Sequence, residues 1–241
     1  MGGRWVKQLF RLQCMIVCHR RRFIFFHNPK CAGTALREAL APWHDDPFEF
    51  RGVQPAPYFL NQLDHAHLRL WEMQVLFPHI VEAARSYRSV VIVRNPYRRF
   101  ISAVDEHFKM FQPRVPLQAM SPAERVETIE TLIERGLTVA RITTNYRFIH
   151  FSPQLWFVRI GEQQIPTNVV AMDDHGQFVA EVVNCLGVPV KEVQHANRSR
   201  SDLTHVLTSP KIAAFVRQFY AMDFWYLASD PALRHLTRPI T

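Results

Sequence analysis

Arg22-Phe23-Ile24-Phe25-Phe26-His27-Asn28-Pro29-Lys30-Cys31-Ala32-Gly33-Thr34 is the stretch on which the fold turns. Its first five residues are a continuous run of β-formers, which reads as a strand buried on both faces in the manner of a parallel sheet. A helical pattern over 34–40 follows after a short loop. The same order returns twice: strand 89–93 with helix 96–108, then strand 168–172 with helix 174–186, the last stopped by Gly187 and Pro189. Three repeats of strand, loop and helix predict an α/β fold, a parallel β-sheet flanked by helices.

Two further helices carry their own start signals. Ser121-Pro122-Ala123-Glu124 is a capping box with proline at the first helical position, and Gly136 closes that helix. Ser209-Pro210 opens another, in which Ile212, Phe215, Val216, Phe219 and Tyr220 form one apolar stripe expected to pack on the sheet. The proline-bearing segment 45–63 reads as a long loop.

The bulk properties bound the rest. The chain has 241 residues, 48% of them hydrophobic, enough for a sizeable core, which excludes a disordered or fibrous chain. The longest stretch without Lys, Arg, Asp or Glu is 12 residues, 52–63. A membrane span needs roughly 18–20 apolar residues, so no transmembrane helix is expected. Four cysteines, sparse and irregular, argue against a disulfide framework and for a reducing, cytoplasmic compartment. Residues 1–14 read as a basic N-terminal extension, with a membrane-surface helix or a targeting arm as the alternatives, and 15–241 as a single domain. The net charge is +8, yet only five of the 29 Lys and Arg residues are lysine. Arginine's planar fork suits bidentate phosphate or sulfate recognition, while this charge without a concentrated basic element does not indicate nucleic acid.

The chemistry begins in the loop 27–34. A loop between a buried strand and its helix points backbone N–H groups and the positive helix end at one spot, an anion site to which Lys30 adds a full charge. Gly33 permits close backbone approach, and Thr34 can cap the helix while offering a hydroxyl. This is not the nucleotide-triphosphate loop, in which Lys directly follows the last Gly. A second cluster, Arg94-Asn95-Pro96-Tyr97-Arg98-Arg99-Phe100-Ile101-Ser102, leaves the end of a strand with Asn95 as cap and Pro96 as first helical residue. Arg99 and Ser102 then share a helix face, and Arg98 reads as solvated. Ligands of open α/β sheets sit at the carboxyl ends of strands, so two such clusters suit a ligand with two separated phosphate groups.

Pro29-Lys30-Cys31-Ala32-Gly33-Thr34 after one strand and Arg94-Asn95-Pro96-x-x-Arg99-x-x-Ser102 after a later one resemble the two cofactor motifs of sulfotransferases that use 3′-phosphoadenosine 5′-phosphosulfate (PAPS), particularly the branch that sulfates carbohydrates. The resemblance implies a P-loop-like sulfotransferase architecture. It implies that Lys30, Cys31, Ala32, Gly33 and Thr34 hold the 5′-phosphosulfate, that Arg94 and Ser102 hold the 3′-phosphate, and that Asn197 and Arg198 close over the adenosine and 3′-phosphate. Lys30 takes the catalytic role, neutralising charge on the departing phosphate, the product being adenosine 3′,5′-bisphosphate. Two positions depart from the family pattern: Asn95 where Asp is usual, and Val104 where an aromatic often follows.

An acceptor hydroxyl must lose its proton, and histidine is suited to take it. Asp64-His65-Ala66-His67 is similar to the His-x-His that precedes the 3′-phosphate motif in the uronyl 2-O-sulfotransferase branch. His67 is the expected base with His65 as partner or alternate; as a strand, the segment would project both rings to one face. His150 and Glu72 are the other candidates. His-x-His is also a metal-ligand spacing, but no further cluster with zinc spacing lies near it, so no metal is expected. Arg51, Arg69, Arg141 and Arg147 are the cations that could meet an acidic sugar. The expected acceptor is a hydroxyl on a carbohydrate; a small P-loop kinase and a non-catalytic polyanion-binding protein are the competing readings.

Overall fold

A computed structural model describes residues 15–31, 33–56, 58–59, 62–114, 116–172, 177–189 and 203–240, and of 34, 35 and 177 the backbone alone. The N-terminal extension 1–14, Ala32, Asn197 and Arg198 lie outside the described residues. Those described group into two compact units, one within Met1–Val93 and Trp156–Ala196, the other within Arg94–Leu155 and Asn197–Thr241.

The first unit opens with β1 (Ile16–Cys18), β2 (Phe23–Phe26), α1 (Gly33–Leu40), β3 (Val53–Pro55), β4 (Gln62–Asp64), α2 (Leu70–Leu76), α3 (Pro78–Ala84) and β5 (Arg88–Val93). The second unit then supplies α4 (Pro96–Phe111), α5 (Pro122–Gly136) and α6 (Val139–Thr144). The chain returns to the first for β6 (Arg159–Ile160), β7 (Gln163–Gln164), β8 (Asn168–Ala171) and α7 (Gln177–Leu186), and ends in the second with α8 (Pro210–Phe219) and α9 (Ala221–Ser229).

The main sheet has the order β1-β2-β5-β8. β5 pairs in parallel with both β2 and β8, in registers Phe26 with Val91 and Val93 with Ala171. The expected parallel sheet is therefore mixed, because β1 runs antiparallel to β2. The reason is local: the link between them is the tight turn 19–22, closed by the Arg22 N–H on the His19 carbonyl at 3.2 Å, with Arg22 at φ +54°. So short a link can join only antiparallel neighbours. The segment 45–63 is not wholly loop either, since it holds β3, which pairs antiparallel with β4.

Alternation divides the sheet residues between two faces. Phe23, Phe25, Val90 and Ile92 pack with Leu36 and Leu40 of α1 and with Phe178, Val182 and Leu186 of α7. Fully burying each such side chain contributes roughly 1.5–3 kcal/mol. On the other face, Phe26 meets Phe50, Leu70, Met73 and Phe157 around a small cavity.

The second unit is helical. α4 buries Pro96, Arg99, Phe100, Ala103, Val104 and His107 at three- and four-residue spacing. α5 starts where expected, with the Ser121 hydroxyl accepting from Glu124 N–H and the Glu124 carboxylate from Ser121 N–H. The α8 stripe, expected on the sheet, packs on the helices α4, α5 and α9 instead. Phe215 lies 5.9 Å from the Phe100 ring, and Ser209 Oγ donates to Glu130 of α5 at 2.7 Å.

Gly187 ends α7 as its sequence indicated, at φ +63° with its N–H on the Val183 carbonyl at 2.8 Å. A Cβ there would lie 1.9 Å from Arg88 Nη1, the movable tip of an exposed side chain, so the cost of a substitution is the backbone conformation. Gly187→Ala is expected to lower stability by about 1 kcal/mol, read as a lower urea midpoint at unchanged slope.

Candidate active site

The loop after β2 is built from below and from both sides. Asn28 Nδ2 donates to the Ile92 carbonyl of the neighbouring strand at 3.0 Å. Cys31 turns its thiol into the core among Phe25 and Leu36. Between them Lys30 stands at φ +65°, the left-handed region, which a non-glycine residue occupies at a cost of order 1–3 kcal/mol. Gly33 opens α1, and a Cβ on it would lie 2.0 Å from Nε2 and Cδ2 of His27, so only glycine fits. α1 has no acid in its first turn. Its leading N–H groups and the Lys30 ammonium make a donor set suited to a dianionic phosphate group.

His27, the residue directly after β2, is buried at 7% exposure. Its Nδ1 lies 3.3 Å from the Ala66 carbonyl, an acceptor only, so the neutral ring carries its proton there. Burial, with the charges of Arg37 and Lys30, lowers its pKa to about 3 against the opposing pull of that carbonyl. The His27 and His67 rings stand 4.6 Å apart.

His65 and His67 do not share a face. They lie on a 3-10 turn, His65–His67, capped by Asp64, whose Oδ1 accepts from Ala66 N–H at 3.0 Å. An aspartate bonding the backbone two residues on bends the chain out of the extended form the strand reading assumed. His65 is buried against Phe48 and Phe77, with ring centroids at 5.4 and 6.2 Å, and burial lowers its pKa. Neither of its ring nitrogens has a hydrogen-bond partner among the described residues. His67 is half-buried beside the loop residue His27. Burial raises the pKa of Asp64 to about 7, helped by the Glu72 charge and opposed by Ala66 N–H and Arg37.

Glu72, an alternative base, is buried and bound to Arg69 at 2.5 Å. Arg69 is itself 1% exposed and stands over Trp71 and Trp156 at 5.7 and 5.5 Å, a structural cation rather than one facing a sugar. Arg51 pairs with Glu49.

In the second unit Asn95 caps α4, its Oδ1 accepting from Tyr97 and Arg98 N–H at 3.0 and 3.2 Å. Its Nδ2 donates to the Arg238 carbonyl at 2.8 Å, a bond that the usual aspartate could not make. Val104, the other departure, is 1% exposed and belongs to the unit's core. Arg98 is exposed, and Arg94 and Ser102 are half-buried. Gln154 brackets Arg94 from both sides, Oε1 accepting its N–H at 2.7 Å and Nε2 donating to its carbonyl at 2.8 Å. Asp223 in turn holds this glutamine, accepting from Gln154 and Leu155 N–H at 2.8 and 2.9 Å. Arg99, 1% exposed, faces the Asp223 charge, so it braces α4 internally. His150 is buried in this unit.

Sequence reasoning assigned no role to His27, Gln154 or Asp223. The signal for His27 was a polar residue directly following an all-apolar strand. Gln154 and Asp223 act across 69 positions of sequence, and no local pattern announces that bond.

The two motifs thus sit at a strand-to-helix loop and at a capped helix start, and the model described as "Sulfotransferase family" matches residues 13–227, a span that contains both. The chain belongs to the sulfotransferase family and is a sulfotransferase, an enzyme that transfers a sulfuryl group. Comparison with curated proteins and with solved structures found no match.

Two outcomes follow from this geometry. Asp223→Ala strands two backbone N–H groups and is expected to cost about 2–4 kcal/mol in urea unfolding. Asp64 holds its proton to about pH 7 when folded against an ordinary value of 3.8, so the folded state binds the proton more tightly between those values. Stability from this group therefore falls as pH rises through that window. Asp64→Asn is expected to gain stability relative to the parent chain from pH 4 to pH 7 in paired denaturation series.

Proposed function

We propose that the enzyme uses PAPS and sulfates a hydroxyl on a carbohydrate or glycan-like acceptor, with 15–241 working as one catalytic domain. The observation that carries this reading is the loop after β2: Lys30 held in a left-handed conformation, Gly33 without room for a side chain, and α1 opening without an acid. That donor set fits the phosphosulfate end, and the carbohydrate acceptor rests on the resemblance of the motifs to that branch. The family match across both units supports a single catalytic domain.

In this reading Lys30, Cys31, Ala32, Gly33 and Thr34 hold the 5′-phosphosulfate, and Arg94, Ser102, Asn197 and Arg198 hold the 3′-phosphate and adenosine. When bound, PAPS supplies the sulfuryl group and a phosphate able to leave. His67 accepts the proton that the acceptor hydroxyl gives up as its oxygen bonds to sulfur. Lys30 would neutralise the charge left on the phosphate, which would take the electron pair of the sulfur–oxygen bond as that bond breaks. His67 rather than His65 takes this role because His65 is enclosed by aromatic rings that disfavour its charged form. A cytoplasmic setting is supported by Cys18, Cys31 and Cys185, all free thiols. No helix among the described residues is long and apolar enough to cross a membrane.

Calorimetric titration with adenosine 3′,5′-bisphosphate tests the nucleotide. The parent chain is expected to bind it far more tightly than ATP with magnesium, Arg94→Ala to lose about 2 kcal/mol or more of affinity, and Lys30→Ala to lose affinity together with sulfuryl transfer. Absence of bisphosphate binding by folded protein would overturn the assignment. Binding of polyanions that survives Lys30→Ala and disappears with salt would favour a non-catalytic role.

A further inference from the structure

His27 belongs to neither set of residues assigned above, yet it touches both the loop and the turn that bears His67. Its Nε2 edge lies against Gly33, close enough that a Cβ there would sit 2.0 Å away. Its Nδ1 donates to the Ala66 carbonyl, the peptide immediately before His67, at 3.3 Å. Its ring stands 4.6 Å from the His67 ring at an interplanar angle of 42°. One rigid, buried ring thus separates the start of α1 from the 3-10 turn by a fixed thickness.

We propose that His27 is a positioning residue, the spacer that sets where the His67 imidazole stands relative to the Lys30 loop. The inference rests on His67 being the base. An acceptor oxygen must meet the donor sulfur and the base at once, and a displacement of about 1 Å can cost on the order of a hundredfold in rate. Three contacts on three sides of His27 remove that freedom from the turn. The ring also stays neutral beside His67, since burial and the charges of Lys30 and Arg37 hold its pKa near about 3. A charged neighbour at this distance would oppose protonation of the base; a neutral one does not. Among the described residues, Arg37 of α1 and Lys30 of the loop act on His27, and Asp64 at the end of β4, which caps the turn bearing His67, is acted on by Glu72 and Arg37. Gly33 acquires a second reason to be glycine: it admits the spacer as well as the ligand.

The test compares His27→Ala, His27→Asn and Gly33→Ala with the parent chain by two readouts. The first is the imidazole titration of His67, followed by NMR in protein saturated with adenosine 3′,5′-bisphosphate, which needs no turnover. The second is kcat and KM against pH. His27→Ala removes the spacer and Gly33→Ala pushes it aside. Both are expected to shift the His67 midpoint and the pH limb of kcat together and to lower kcat about tenfold or more, with bisphosphate affinity staying within about threefold in His27→Ala. His27→Asn keeps a donor for the Ala66 carbonyl and is expected to recover part of the loss. Should His27→Ala fail to fold, His27→Asn carries the same readouts and Gly33→Ala the titration. An unmoved His67 midpoint, or a loss of kcat in a His27 variant matched by an equal loss of bisphosphate affinity, would overturn the proposal. If His67→Ala stays active while the midpoint still responds to His27, the base assignment falls and the spacer stands.

Discussion

The parallel hydrogen bonding of β2 on β5 is the constraint from which the first unit is built. In the register Phe23 with Arg88 to Phe26 with Val91, both strands run the same way and finish at the same sheet edge. β8 joins β5 in the same sense, so three carboxyl ends gather there. A loop placed at such an edge inherits two things at no cost to its own residues: a helix start aimed at it and a rigid floor beneath it. Asn28 uses the neighbouring strand directly, holding the Ile92 carbonyl. The loop can then tolerate a residue with positive φ, because the surrounding packing and bonding determine its shape.

The second unit meets the same need by different means. Within it a relay of polar groups supports Arg94, from the Asp223 carboxylate through the Gln154 amide to both backbone groups of Arg94. Burial of Asp223 raises its pKa, and the nearby Arg99 charge works against that shift. The guanidinium and carboxylate are thus structural partners, and their low exposure makes the helix start stiff. Asn95 shows how a departure from a family pattern can be a gain, since an amide serves the cap with its oxygen and the Arg238 carbonyl with its nitrogen.

How much of this was legible depended on range. The strands that lead to the two motifs, and the helices after them, were readable because each is written by neighbours: continuous apolar runs, caps at Asn95 and Ser121, a stop at Gly187. β1 was missed because three residues make too short a signal, and with it the antiparallel edge. The His65–Ala66–His67 turn was not legible because alternation is ambiguous over three positions, and the deciding bond comes from the Asp64 side chain. The two motifs were legible as a strand-to-helix loop and a capped helix start, but the groups that support them were not. Arg69 read as one of the cations that could meet an acidic sugar until its buried bond to Glu72 was visible, and the α8 stripe, expected on the sheet, shows that it packs but not on what.

Cys31 turns inward, 1% exposed, directly after Lys30 in the loop. A thiol in that position is a small hydrophobe, shut off from the oxidants and alkylating agents that attack exposed thiolates. The loop thereby carries a cysteine whose thiol serves as an anchor. Its resistance to chemical attack comes from its depth, and a change that lifted the loop by a few ångströms would give that protection up.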